Sequence, residues 1–95
     1  GRKGKEFPYY VKKEAKERAG NKCERCGSTE RLQVHHRLAI WFAGQFFPQL
    51  ANHVLTSIQN AEVLCHKCHD KHHYNDRGNR NRRKYLKVAE ELGIR

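Results

Sequence analysis

Residues 62–74 read Glu-Val-Leu-Cys-His-Lys-Cys-His-Asp-Lys-His-His-Tyr, and this stretch decides the fold. A short apolar run opens it, as expected of a strand over Glu62–Cys65. Cys65 and Cys68 then form a C-x-x-C pair, and three histidines follow within five residues. Upstream, Cys23-Glu24-Arg25-Cys26-Gly27 supplies a second pair in a tight turn. A two-residue gap lets both sulfurs of a pair face one ion, and two pairs complete a tetrahedron. Four thiolates leave no open position for water, so Cys23, Cys26, Cys65 and Cys68 are expected to hold a structural zinc ion whose binding energy is folding energy. The competing readings are two disulfides or free buried thiols. Thirty-eight residues separate Cys26 from Cys65, about twice the gap of a simple zinc ribbon. That insertion contains His35, His36 and Asn60.

The chain has seven histidines, and most of them cluster. His69 and His73 stand four apart on an expected helix from His69 to Tyr74, so their imidazoles share one face and can bind one metal. His72, three residues after His69, is the alternative on that face. A third ligand from His35, on an expected strand over Leu32–His35, would leave positions open for phosphate and water. The bland reading is that any single histidine is structural. His66, between two cysteines, is expected to be a solvated knuckle residue, and His53 a surface or core residue.

The rest of the chain organises around these motifs. Pro8 suits a helix first turn, Tyr9–Ala19 is rich in helix formers, and Gly20 stands as a stop. Leu38, Phe42, Phe46 and Leu50 recur every four positions, but Pro48 interrupts, so residues 38–58 read as a partly helical insertion. Its aromatics Trp41, Phe42, Phe46 and Phe47 are expected to form local core, with a homodimer contact as the sharper alternative. A polar break over Asn75–Asn79 precedes a last helix from Arg80 to Leu92, stopped by Gly93. The expected organisation is one α+β domain over residues 1–95, with a flexible basic arm (1–6), a zinc-stapled core (22–74) and a C-terminal helix (80–93).

Composition narrows the function. At 95 residues and 37% hydrophobic, the core is thin, and chains this small usually need a staple. Twenty Lys and Arg against ten Asp and Glu give a formal charge of +10 and a pI near 9.8, which fits a polyanionic partner. Nucleic acid is favoured over an acidic membrane surface because neither basic end shows a broad apolar helical face. Arg77, Arg80, Arg82, Arg83 and Lys84, with Arg2, Lys3 and Lys5 of the arm, are expected to contact phosphates with little sequence discrimination; the alternative is a solvated charged face. No leader-like or membrane-spanning stretch appears, and a cytoplasmic setting is expected from the paired cysteines. The absence of methionine and the start at Gly1 suggest a trimmed chain.

Taken together, C-x-x-C, a strand ending His35-His36, Asn60, and Cys65-x-x-Cys68-His69 resemble the cysteine-rich, McrA-like branch of the HNH (ββα-metal) nucleases over about residues 22–74. The spacing Asn60–His69–His73 is similar to the metal motif of the colicin-type nucleases. The resemblance implies a small ββα-metal fold with structural zinc knuckles and flanking helices. It implies endonuclease activity on DNA in a bacterial or phage-infected cell, with 5′-phosphate and 3′-hydroxyl ends. His36 would be the general base and Asn60 the residue orienting it. His35, His69 and His73 would hold one catalytic divalent ion. Imidazole ligands favour manganese, nickel, zinc or cobalt over magnesium, which remains a candidate. Two rivals remain: a zinc-knuckle module that binds nucleic acid without cutting, and a nuclease subunit of a larger packaging, homing or restriction assembly.

Overall fold

The computed structural model describes residues 6–94; the basic arm's Arg2, Lys3 and Lys5 lie outside the described residues. The chain forms α1 (Tyr9–Arg18), β1 (Gln33–His36), α2 (Ile40–Phe46), α3 (Asn52–Leu55), a 3-10 turn (Ile58–Asn60), β2 (Ala61–Leu64), α4 (His66–Arg77) and α5 (Arg82–Glu91). It is therefore a small mixed α/β structure of one two-stranded antiparallel sheet and five helices among the described residues. Among the described residues, no helix is long and apolar enough to cross a membrane.

Three helix ends show how local sequence sets the boundaries. After α1, Gly20 takes φ +69°, its N–H donates to Glu17 O, and Asn21 N–H donates to Lys16 O. This paired closure satisfies carbonyls that the helix leaves open, and glycine enters the left-handed region without a Cβ clash. Gly93 closes α5 in the same way, through Glu90 O and Ala89 O. After α4 the left-handed residue is Asn79, with φ +57°, and Arg80 N–H donates to Asn75 O. The helix thus continues through Asn75 and Arg77, where a break was expected, and α5 begins at Arg82 rather than Arg80.

Both strands are displaced by one residue from expectation. Arg31 turns the chain at φ +47°, so β1 starts at Gln33. β2 ends at Leu64 because Cys65 is already the N-cap of α4, accepting from His69 N–H at 2.9 Å. The second C-x-x-C is thus the opening turn of α4, which starts at His66 and not His69. In register, Val34 pairs with Val63, His35 with Glu62 and His36 with Ala61. Side chains alternate across a sheet, so His35 and His36 belong to opposite faces.

The core is divided into three clusters. α1 lays Val11 and Ala15, with Phe7 ahead of it, on Ala61 and Val63. Arg18 fastens this packing by donating to the carbonyls of Ile58 and Ala61. Cys23, Leu64 and Cys65 form a second cluster. In the third, Leu38, Phe42 and Ala43 of the insertion meet Leu55 and the inner face of α5, Tyr85 and Val88. Phe42 is core as expected, but Trp41 and Phe46 are 40% and 41% exposed. A seven-residue helix presents only one narrow stripe to α5, and Phe42 with Ala43 occupies it. Phe42 touches the rings of Trp41, Phe46, Phe47 and Tyr85. Phe42→Ala is expected to cost about 3–5 kcal/mol. Thermal unfolding followed by circular dichroism should fall by at least about 12 °C; a fall within a few degrees would mean that this cluster does not hold the insertion on α5.

Candidate metal centre and histidine cleft

The four cysteine sulfurs lie within 4.8 Å of one another. None is in a disulfide, and Cys26 Sγ stands 3.5 Å from Cys65 Sγ. Around a zinc ion with Zn–S of about 2.3 Å, the edge of the tetrahedron is about 3.8 Å, so the sulfur cage matches the ion in size. The first knuckle is shaped by Gly27 N–H donating to Cys23 O and Cys23 N–H donating to Ser28 O. It is fixed to the sheet by Glu24, whose N–H donates to Val63 O and whose carboxylate accepts from Val63 N–H. The second knuckle sits at the positive end of α4, which favours thiolates. Burial opposes ionisation of Cys23, but backbone groups of Cys65, Cys26 and Arg25 outweigh it and bring the thiol down to about 6. Burial and the neighbouring sulfurs push Cys68 up to about 12. The backbone of Cys68 lowers Cys65 as well, against burial, while the backbone of Ser28 lowers Cys26 less than the sulfurs of Cys65 and Cys23 raise it. Two of the four thiols thus ionise more readily than the other two. The four cysteines can therefore hold a metal ion.

A cleft of about 610 Å³ opens between the end of β1, α2 and α4, and His35, His36, His69, His72 and His73 all line it. His35 is 9% exposed, and its Nε2 is buried without a hydrogen-bond partner. Burial, reinforced by His72, His69, His36 and Arg25, lowers its pKa to about 2, so it stays a neutral imidazole. Its ring centroid lies 5.5 Å from that of His69, and His69 lies 4.4 Å from His73. Burial, and then His73, lowers the pKa of His69 as well. Among the described residues, the cysteines are the only group of three or more such side chains whose ligand atoms gather closely enough for an ion. The three candidate histidines share the cleft without being drawn together to that degree.

His36 is half-buried at the end of β1, with its ring stacked on Phe7 at 4.1 Å and 21°. Asn60 is fully buried. Its Oδ1 accepts from Leu38 N–H at 2.7 Å, its Nδ2 donates to Leu55 O at 2.9 Å, and its carbonyl accepts from Arg37 N–H. It thereby pins the two residues that follow His36. His72, the alternative ligand, is committed elsewhere: it is 1% exposed, and its Nε2 lies 2.8 Å from the Tyr85 hydroxyl. That hydroxyl donates to Asp76, which also accepts from Asn81 and from Trp41 Nε1. Burial opposes ionisation of Asp76, but the hydrogen bonds from Tyr85, Asn81 and Trp41 hold its pKa below the ordinary carboxylate value.

Phe7, Asp76, Asn81 and Tyr85 escaped the sequence reading. Asp76 was the most accessible of them, since it continues the helical face of His69 and His73. His66, expected to be solvated, is half-buried with an unpartnered Nδ1, because it opens α4 against the sulfur cage. His53 is exposed. Arg77, Arg80, Arg82 and Arg83 are exposed, and Arg77 lines the cleft. Lys84 is half-buried and 4.0 Å from Glu62, so it is partly neutralised. Compared with known protein families, curated proteins and solved structures, the chain has no match.

Two predictions follow from this geometry. The protein should carry one zinc equivalent by elemental analysis, and Cys23→Ser should lose both the metal and cooperative unfolding; full metal-free stability would rule out a structural ion. The second concerns acid. His35 would protonate near 6.5 when unfolded but only near 2 when folded, so the unfolded chain binds the extra proton and stability falls as pH drops below about 6.5. Urea midpoints of His35→Gln should therefore decline less between pH 7.5 and 5.5 than those of the wild type, whereas parallel declines would contradict the neutral state assigned to His35.

Proposed function

We propose that this chain is a metal-dependent endonuclease of the HNH type, with a ββα unit formed by β1, β2 and α4 and a structural zinc ion in the sulfur cage. The observation that carries the reading is the meeting of His35, His36, His69 and His73 on one cleft, with Asn60 buried behind it. A divalent ion suits this donor set, because His35 is held neutral and presents a buried nitrogen without a partner. An unsatisfied buried polar atom is costly, and metal ligation by a neutral imidazole would relieve that cost. His35, His69 and His73 would hold the ion, which when bound would withdraw charge from the scissile phosphate and its departing oxygen.

His36 does the proton work. Its ring nitrogen accepts a proton from water as the water oxygen bonds to phosphorus and the bond to the 3′ oxygen breaks. Stacking on Phe7 fixes the ring plane, and the Asn60 bonds to Leu38 and Leu55 fix the backbone beyond it. Arg77, Arg80, Arg82 and Arg83 would grip backbone phosphates, which gives affinity without sequence discrimination. A binding module without catalysis accounts for the cysteines and arginines, but supplies no reason for the buried unpaired nitrogen of His35.

The test is nicking of supercoiled plasmid with manganese, nickel, zinc or magnesium added in turn. Metal-dependent nicking is expected, and His36→Ala should reduce it by about 100-fold or more while keeping the wild-type melting temperature. Undiminished cutting by the variant would remove His36 from the reaction, and binding without cutting under every ion would favour the module.

A further inference from the structure

The two helices that border the cleft, α2 and α4, carry exposed aromatic rings. Trp41 lines the cleft while 40% exposed, and its indole Nε1 is held 3.2 Å from Asp76 of α4. Phe46, one turn beyond Phe42, is 41% exposed beneath the guanidinium of Arg82, 5.1 Å from the ring centroid. Tyr74 of α4 is 64% exposed, with the Arg80 guanidinium 5.6 Å from its ring centroid. Duplex DNA offers only phosphates and groove edges to a flat basic surface, and exposed rings gain little there. Unpaired bases offer π-faces, and pairing aromatic rings with arginines is how single strands are held without sequence readout. Charge complementarity points to the same polyanion, since the chain carries +10.

Resting on the nuclease reading of the cleft, we propose that Trp41, Phe46 and Tyr74, with Arg80 and Arg82, form a stacking platform for single-stranded DNA. The preferred substrate then contains an unpaired segment, such as a flap, gap or junction, whose bases stack beside the cleft while the adjoining phosphodiester enters it. Trp41 is the chain's single tryptophan, so its emission reports directly on the platform.

The experiment titrates a dT oligomer, and separately a duplex of equal length, into the protein without added divalent ion, following Trp41 emission alongside fluorescence anisotropy of labelled DNA. The single strand is expected to quench Trp41 and to bind about tenfold tighter than the duplex. Tyr74→Ala, which removes a mostly solvent-exposed ring, should weaken single-strand binding about fivefold with little effect on the duplex; an unchanged melting temperature of the variant is the control on folding. Equal affinities, or single-strand binding that leaves emission and the Tyr74→Ala variant unaffected, would overturn the platform. So would an emission change on concentrating the protein alone with association in sedimentation, which would assign the rings to a second copy. These outcomes separate from those of the plasmid assay: quenching without cutting removes the nuclease, and cutting of duplex without quenching removes the platform.

Discussion

Four sulfur atoms within 4.8 Å of one another are the constraint on which the other contacts rest. They join a turn near the N-terminal third to the first turn of α4, across thirty-eight intervening residues. Each apolar cluster is small, and none spans the molecule. A core this divided would stabilise a chain of 95 residues only marginally, since domains of this size already bury a modest share of their surface. The cage also locks the strand register. Leu64 packs between Cys23 and Cys65, and Glu24 of the first knuckle bonds both backbone groups of Val63. A slip of one residue would break these contacts and turn Leu64 outward.

Register in turn separates two adjacent histidines. His35 lies on the α4 side, where burial keeps it neutral, and His36 lies on the α1 side against Phe7. A metal ligand needs a neutral ring with a free lone pair, and a general base needs access to water. One strand gives consecutive residues these two environments because its side chains alternate, as the ligand and base roles proposed for them would require. The bend after β1, held by Asn60, lets both rings line the same cleft despite their opposite faces.

Much of this was legible in the sequence. The C-x-x-C pairs placed the sulfur cage correctly, since chain spacing within each knuckle suffices to bring two sulfurs together. Gly20 and Gly93 marked helix ends because the left-handed closure selects that residue. The break after α4 was misplaced because Asn79, not Gly78, takes the left-handed position, and asparagine carries that signal weakly. His72 looked equivalent to His73 by spacing. Only tertiary packing distinguishes them, through Tyr85 and Asn81, which are nine to thirteen residues away in sequence. Phe7 could not be linked to His36 from sequence, because their contact depends on how α1 crosses the sheet.

The polar network around Asp76 explains how α5 and the insertion stay docked on so hydrophilic a helix. α4 buries only His72, so it offers α5 almost no apolar face. Tyr85, Asn81 and Trp41 instead converge on the Asp76 carboxylate, and Tyr85 and Asn81 also reach His72. Hydrogen bonds to a carboxylate are stronger than neutral ones, and a satisfied network is directional where apolar burial is not. Direction matters at this point because α4 also carries His69 and His73. Apolar packing could let the helix slide or rotate under α5, whereas a carboxylate bonded from three sides fixes its rotation. That rotation decides which of the α4 histidines lining the cleft is tied to Tyr85 and which are not.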